Sequence, residues 1–140
     1  MRLSRRWRSE RGTAMVEFAV VLPIFLFVIW CIVDFARAFY TQNSLASAVR
    51  EGARYAAVRA VPSDDQAAIK ARVTQSFNAF GGPPIAAGLI SVLDSSTSAG
   101  NVTVTVTNYE WRTTTPINIF TDGKVLMTKS AKFRWEREGT

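Results

Sequence analysis

Gly12 and Glu17 are the residues near the start of the chain whose types and spacing could serve chemistry. Glu17 is the only charged residue between Gly12 and Val33, in a run that is otherwise almost entirely apolar. A glutamate in a membrane helix costs roughly 2.5 to 3.5 kcal/mol at the bilayer centre and less near the surface, so such a residue normally has a functional reason. Gly12 lies five residues earlier, behind a basic segment. This pattern makes Gly12 and Glu17 candidates for a functional role.

The residues that usually catalyse reactions are scarce. There is no histidine, the commonest general base and metal ligand. The single cysteine, Cys31, falls in the apolar run, where a reactive thiolate is disfavoured. One cysteine cannot form a disulfide within the chain, so only a disulfide between two chains is left open. The polar run at residues 95–98 has no base beside it. Asp64 and Asp65 suit a helix start better than a catalytic pair, because neighbours on a first turn do not converge on one substrate atom. The sequence predicts no enzyme, cofactor or metal site.

The apolar run is long enough to cross a membrane. As a helix, residues 13–33 would extend about 31 Å, close to the hydrocarbon thickness of about 30 Å. Counted from Phe18 the helix reaches only about 24 Å, so Glu17 must lie near one surface or the bilayer must thin around it. Trp30 is expected near the other surface, where indole rings favour the interface.

Charge asymmetry predicts the orientation of this span. Five arginines precede it and only Glu10 opposes them, which favours a cytoplasmic amino terminus and places the remainder outside. Removal of residues 1–12 would take four positive charges from the formal net charge of +6 and leave +2. The high isoelectric point therefore requires no nucleic-acid partner, because the later basic residues are scattered among acidic ones.

Two other interpretations of the amino-terminal segment remain open. A secretory signal peptide could be cut after Ala36-Arg37-Ala38, before Phe39, although its apolar stretch would exceed the usual length of about 7 to 15 residues and Asp34 would sit awkwardly near the cut. An uncleaved single-span anchor is possible if Gly12 and Glu17 coincide by chance. Either would carry a binding domain without enzymatic activity.

The helix is predicted to continue beyond the bilayer. One face of this helix is defined by residues that alternate at spacings of four and three positions, and all but one of them are apolar. They are Phe35, Phe39, Gln42, Ala46, Val49, Ala53, Ala56 and Ala60. Pro62 cannot continue the hydrogen-bond ladder, so the predicted end is Val61. Alanines on this face let another helix or a sheet approach closely. Gly52 costs about 1 kcal/mol relative to alanine, so a bend is expected there.

A second helix is predicted to begin at Ser63-Asp64-Asp65-Gln66, which has the form of a capping box. Its apolar side consists of Ile69, Val73, Phe77 and Phe80. Gly81-Gly82-Pro83-Pro84 is predicted to end it.

The last third of the chain is predicted to form strands. Val102, Val104 and Val106 alternate with threonines, whereas Tyr109 and Trp111 have the opposite parity. A bulge near Thr107-Asn108 would return them to the inner face. A weaker strand is expected over residues 89–93.

A later amphipathic strand has an inner side formed by Val125, Met127, Ala131, Phe133 and Trp135, with Lys129 as the exception. Asp122-Gly123 suits a two-residue hairpin turn that would pair residues 117–120 with this strand, although Pro116 leaves a loop open.

These elements predict an α+β protein. Residues 62–140 can bury only a marginal core by themselves, so the economical arrangement lays the extramembrane half of a long helix across a small antiparallel sheet. The expected organisation is a leader at 1–12, a membrane helix at 13–33, its continuation at 34–61 and a small α+β domain at 62–140.

The chain resembles the TadE-like minor pseudopilins of tight-adherence (Flp, type IVc) pilus systems over roughly its first 60 residues. The similar stretches are Arg11-Gly12, Val16-Glu17-Phe18-Ala19, Leu22-Pro23, Asp34-Phe35-Ala36-Arg37 and Arg50-Glu51-Gly52-Ala53-Arg54-Tyr55-Ala56. Cys31 and Ala36 depart from the family, which often has glycine at these positions, but both are small. A major Flp pilin is disfavoured, because those subunits resemble little more than the helix.

The resemblance implies that a prepilin peptidase cuts between Gly12 and Thr13, which places Glu17 fifth in the mature chain as an assembly residue. It also implies a pilin-like fold and a part in assembling or initiating the pilus. The expected helix-packing residues are Pro23, Phe35, Phe39, Ala46, Val49 and Ala53. Expected partners are the membrane, the peptidase, other pilins and pseudopilins, and the pilus assembly machinery. The expected location is the bacterial inner membrane, single-pass, with the carboxy-terminal domain periplasmic or extracellular; incorporation into the pilus stays open.

Overall fold

A computed structural model describes residues 6–59, 64–94, 100–114 and 122–134 of the chain, with side chains from Gly12 onward except that of Asp94. Its elements are α1 (Arg6–Ala57), α2 (Gln66–Ala79), a 3-10 turn (Ala87–Leu89), β1 (Ile90–Asp94), β2 (Asn101–Arg112) and β3 (Lys124–Arg134). The chain divides into two compact units between Ala36 and Arg37.

The first unit is the amino-terminal part of α1. Its large apolar side chains are exposed from Met15 to Val33. Within the part of the chain that the structure describes, one helix is long and apolar enough to cross a membrane, with a mean hydropathy of 2.7 in its most apolar window. Pro23 lies inside this helix, a position that membrane helices tolerate.

The second unit has a single hydrophobic core between two helices and a sheet. The later part of α1 contributes Leu45, Ala48, Val49, Ala53 and Ala56, and α2 contributes Ile69, Val73 and Phe77. The sheet contributes Ile90, Val92, Val102, Val104, Val106, Tyr109, Trp111 and Met127. The α+β prediction, with the helix packed against a small antiparallel sheet, is confirmed.

The sheet has the order β1-β2-β3, and both pairs are antiparallel. Val104 of β2 is opposite Val92 on one side and Ala131 on the other. The register with β3 shifts between Val106 and Tyr109, and Asn108 has a φ of 55°. This irregularity turns Tyr109 and Trp111 into the core, so the bulge predicted from their parity is confirmed. The weak strand predicted at 89–93 is confirmed as β1, one residue later.

The first helix ends at Ala57, four residues before the predicted Val61. A turn follows, in which the backbone N–H of Arg59 donates to the Ala56 carbonyl at 3.1 Å. The Arg59 guanidinium lies 4.2 Å from the centre of the Tyr55 ring and 3.5 Å from an oxygen of Asp65. Because these contacts hold the chain in a turn, the helix does not run on towards the proline.

The predicted capping box is wrong. The second helix begins at Gln66 with Asp65 as its N-cap residue, and the Asp65 side chain makes no capping hydrogen bond. Instead this carboxylate pairs with Arg59. Ser63, the first residue of the predicted box, lies outside the described residues. Ile69, Val73 and Phe77 are buried as predicted, and Gly81 follows the helix with a φ of 74°. Phe80, the last residue of the predicted apolar side, is instead the C-cap residue and is exposed.

The buried stripe of α1 in the second unit is wider than the predicted face. Val49, Ala53 and Ala56 are buried as expected, but Leu45, Ala48, Gly52 and Ala57 are buried as well. The stripe is wide because α1 contacts α2 on one side and the sheet on another. Phe39 belongs to the predicted face yet stays exposed, and Ala60 lies outside the described residues.

The strand β3 is less buried than its alternation predicts. Met127 is buried and Ala131 is partly buried, whereas Val125 and Phe133 are exposed. In the described sheet β3 is an edge strand, so its inner face receives less cover from the helices. It pairs with β2, and the N–H of Thr113 donates to the Gly123 carbonyl at 2.9 Å across the connection. Trp135 and residues 117–120 lie outside the described residues.

A candidate processing and assembly segment

Gly12 lies inside α1 at a position that needs no glycine for packing. A Cβ atom built there would meet nothing within 4 Å, and a glycine in a helix costs about 1 kcal/mol relative to alanine. Gly52, on the same helix, is the opposite case, because its Cβ would lie 2.2 Å from Cγ2 of Val73. The fold of the described chain therefore explains Gly52 but not Gly12.

Glu17 is exposed on α1, one helical turn after Thr13. Four residues of helix advance about 6 Å along the axis, so the carboxylate and the Thr13 backbone are near neighbours. Glu17 is also the only charged residue between Gly12 and Val33. Within the described parts of the chain, no group of three or more His, Cys, Asp or Glu residues is placed to hold a metal ion. The exposed Glu17 carboxylate suits an electrostatic contact with another group.

The six predicted helix-packing residues divide into two sets. Val49 and Ala53 are fully buried, and Ala46 is half-buried. These three residues lie in the second unit, in which the first two belong to its core. Pro23, Phe35 and Phe39 are exposed, Phe35 by 74%. A role for the exposed set in contacts with other subunits stays a prediction.

Glu51 forms an ion pair within the second unit. Nη2 of Arg72 on α2 donates to Oε1 of Glu51 on α1 at 2.8 Å. This hydrogen bond is the main reason that the pKa of Glu51 lies below its ordinary value, and the positive charges of Arg72 and Arg54 act in the same direction. The pair therefore contributes to stability at neutral pH and loses that contribution as the pH falls through the lowered pKa. Sequence reasoning missed this pair because its partners are 21 residues apart.

A comparison with known protein families gives a match to the segment that contains Gly12, Glu17 and Glu51. The family model described as TadE-like protein matches residues 12–54. No curated protein and no solved structure matches the chain significantly. The matched segment begins at Gly12, includes Glu17 and the apolar run, and ends at Arg54, three residues after Glu51. Over this segment, the chain is similar to the TadE-like protein family.

Proposed function

We propose that this chain is a minor pseudopilin that assembles or initiates Tad (Flp) pili after a prepilin peptidase removes residues 1–12. The observation that carries the proposal is an unpacked Gly12 followed by an exposed Glu17 on the one described helix that could span a membrane. Both residues fall in the TadE-like segment. A separately folded unit follows, which suits a subunit that carries more than a filament-forming helix.

The proposed setting is the bacterial inner membrane, with residues 13–33 as a single span. The arginine excess before the span supports a cytoplasmic amino terminus and a periplasmic or extracellular second unit. The proposed partners are the peptidase, other pilins and pseudopilins, and the pilus assembly machinery. The role is structural, because the residues of the TadE-like segment are arranged for packing and for a charge contact.

Gly12→Val is expected to block processing. A peptidase subsite that accepts only the hydrogen of glycine would exclude a branched side chain, whereas a Cβ atom at this position has no neighbour within 4 Å. Mass spectrometry of the protein recovered from membranes, in cells with the cognate peptidase, should show the native chain beginning at Thr13 and the variant at Met1.

Gly88→Val is the matched control for this experiment. Its position is also open to a Cβ atom, and it lies in the second unit, so this variant should be cut like the native chain. If Gly12→Val were cut as efficiently as Gly88→Val, processing at this glycine would be wrong. A native chain that began at Phe39 would indicate a secreted domain, and one that kept Met1 would indicate an uncleaved anchor.

Protease added to intact spheroplasts is expected to digest the second unit. The five arginines of the leader should hold the amino terminus in the cytoplasm, which leaves residues 34–140 on the outer side. The measurement is immunoblotting with tags at either end, and a cytoplasmic marker protein that stays intact serves as the control. Protection of the carboxy-terminal tag until the spheroplasts are lysed would reverse the orientation.

A further inference from the structure

The fold explains every residue of the motif at 50–56 except its two arginines. The other five have partners inside the second unit, through an ion pair, a close helix contact, a ring contact or burial in the core: they are Glu51, Gly52, Tyr55, Ala53 and Ala56. Arg50 and Arg54 are exposed instead. Within the described parts of the chain, neither guanidinium forms an ion pair or a hydrogen bond. Packing inside this unit therefore gives no reason for the two arginines.

Both arginines belong to one exposed stripe of α1 in the second unit. We call its four residues, which are successively four, three and four positions apart, the arginine stripe: Asn43, Ser47, Arg50 and Arg54. This spacing places the four side chains on one side of the helix. The stripe contains no acid, and the adjacent Glu51 already binds Arg72 at 2.8 Å. Since like charges one turn apart destabilise a helix by themselves, the stripe is suited to an external anion.

The surroundings of the arginine stripe favour a protein as the source of that anion. Exposed apolar residues flank the stripe, Phe39 one turn before it and Val58 directly after the helix. Ser47 also lines an open cleft of about 470 Å³ between α1 and α2. A nucleic acid or an anionic polysaccharide would match the charge alone. A protein segment can present carboxylates together with apolar side chains, as protein interfaces do.

We propose that the arginine stripe binds two carboxylates of an acidic segment on a neighbouring pilin or pseudopilin subunit. This inference rests on the proposed function and adds the chemistry of one subunit contact. Side chains three or four residues apart on a helix have Cβ atoms about 5 to 6 Å apart, so two acids at that spacing on a partner helix match Arg50 and Arg54. Each planar guanidinium can hold one carboxylate through two parallel hydrogen bonds.

The sequence distinguishes a different subunit from a second copy of this chain. No two Asp or Glu residues of this chain are three or four positions apart, so a second copy offers no matching acid pair on one helix face. Charge complementarity at a contact selects the partner and fixes the register. The arginine stripe therefore serves recognition between unlike subunits.

Carbodiimide crosslinking of the full chain, in membranes of cells that carry the pilus system, tests which groups face the stripe. The reagent joins a lysine amine to a carboxylate in contact with it and takes up the water that amide formation releases. The variant Arg50→Lys with Arg54→Lys keeps both charges and makes both positions reactive. The native Lys132, exposed on β3, is the internal control.

Mass spectrometry is expected to find at least about threefold more crosslinks to an Asp or Glu of another pilin or pseudopilin at positions 50 and 54 than at Lys132, as charge complementarity requires. Crosslinks to such subunits no more frequent than those of Lys132 would overturn the proposal. Crosslinks only to a second copy of this chain would overturn it as well.

Charge reversal gives an independent measurement on the same contact. Arg50→Glu with Arg54→Glu is expected to lower copurification with the crosslinked subunit at least about tenfold, because it places like charges opposite each other. The double lysine variant should copurify like the native chain. Substitution of the crosslinked acids by lysine on the partner should restore binding of the reversed variant. Circular dichroism verifies that each variant is folded.

The native chain separates this inference from the proposed function. Absence of every pilin and pseudopilin from its copurified proteins would reject the proposed function, and the arginine stripe with it. Normal copurification of both the native chain and the reversed variant would reject the arginine stripe alone.

Discussion

Gly52→Ala is expected to destabilise the second unit by about 1 to 2 kcal/mol net, even though alanine is the better helix former. The added Cβ atom would lie 2.2 Å from Cγ2 of Val73, far inside van der Waals contact. Val73 is fully buried, and a β-branched side chain in a helix has essentially one favourable rotamer, so it cannot rotate away. Helices α1 and α2 must therefore separate, which outweighs the gain in helix propensity of about 1 kcal/mol.

A double-mutant cycle with Val73→Ala tests that this contact is the cause. Val73→Ala alone should cost about 2 kcal/mol, because it removes buried methyl groups and leaves a cavity. It also removes the clashing atom, and the next nearest atom to the new Cβ is then Cβ of residue 73 at an ordinary 3.6 Å. Gly52→Ala should consequently be neutral or stabilising in the Val73→Ala background.

The free energy of unfolding of each variant can be measured on the full chain in detergent micelles, with the fluorescence of buried Trp111 as one probe of the second unit. Gly88→Ala is the matched control, because the same substitution meets no atom within 4 Å there. An equal loss from Gly52→Ala in both backgrounds would show that the helix contact is not responsible.

The close contact at Gly52 could not be predicted from the sequence. The sequence predicts only a loss of helix stability and a bend at this glycine, because helix propensity describes one helix by itself. Its actual neighbour, Val73, is 21 residues later, and nothing in the spacing of either helix reveals that the two meet. The wide buried stripe of α1 was missed for the same reason, since a helix in contact with two elements buries two sides.

The sheet was predictable where the signal was local. The change of parity between Val106 and Tyr109 required a bulge, and the register shift and the positive φ of Asn108 confirm it. The exposure of Val125 and Phe133 was not predictable from alternation, because it depends on β3 lying at the edge of the described sheet.

The candidate site is predicted from signals that are local in the sequence. A glycine after a basic segment and a single acid in an apolar run need no tertiary contact to be noticed, and the family match begins at that glycine. Its role in processing and assembly stays a prediction. The capping box at Ser63-Asp64-Asp65-Gln66 had an equally local signal, yet the helix begins only at Gln66, with Asp65 as its N-cap residue.

Glu17→Ala is expected to abolish surface pili while the chain still inserts into the membrane and is still processed. Cleavage after Gly12 would create an amine at Thr13, one helical turn from the Glu17 carboxylate. Pairing with that amine, or with the amine of a neighbouring subunit, would offset part of the desolvation of the carboxylate and fix the register between helices. Removal of the charge makes insertion easier, so the defect should appear at assembly.

Further variants distinguish this role from a simple helix-dipole interaction, which is worth only about 0.3 to 1 kcal/mol at an exposed site. Glu17→Gln keeps the size but not the charge and should fail like alanine, whereas Glu17→Asp should retain part of the function. Glu51→Ala is the control on the same helix outside the apolar run, and loss of its exposed ion pair should cost at most about 1 kcal/mol and leave pili present. Electron microscopy of surface pili and copurification with partner pseudopilins are the measurements. If both were normal for Glu17→Ala, the assembly role would be wrong and the helix-dipole interpretation would stand.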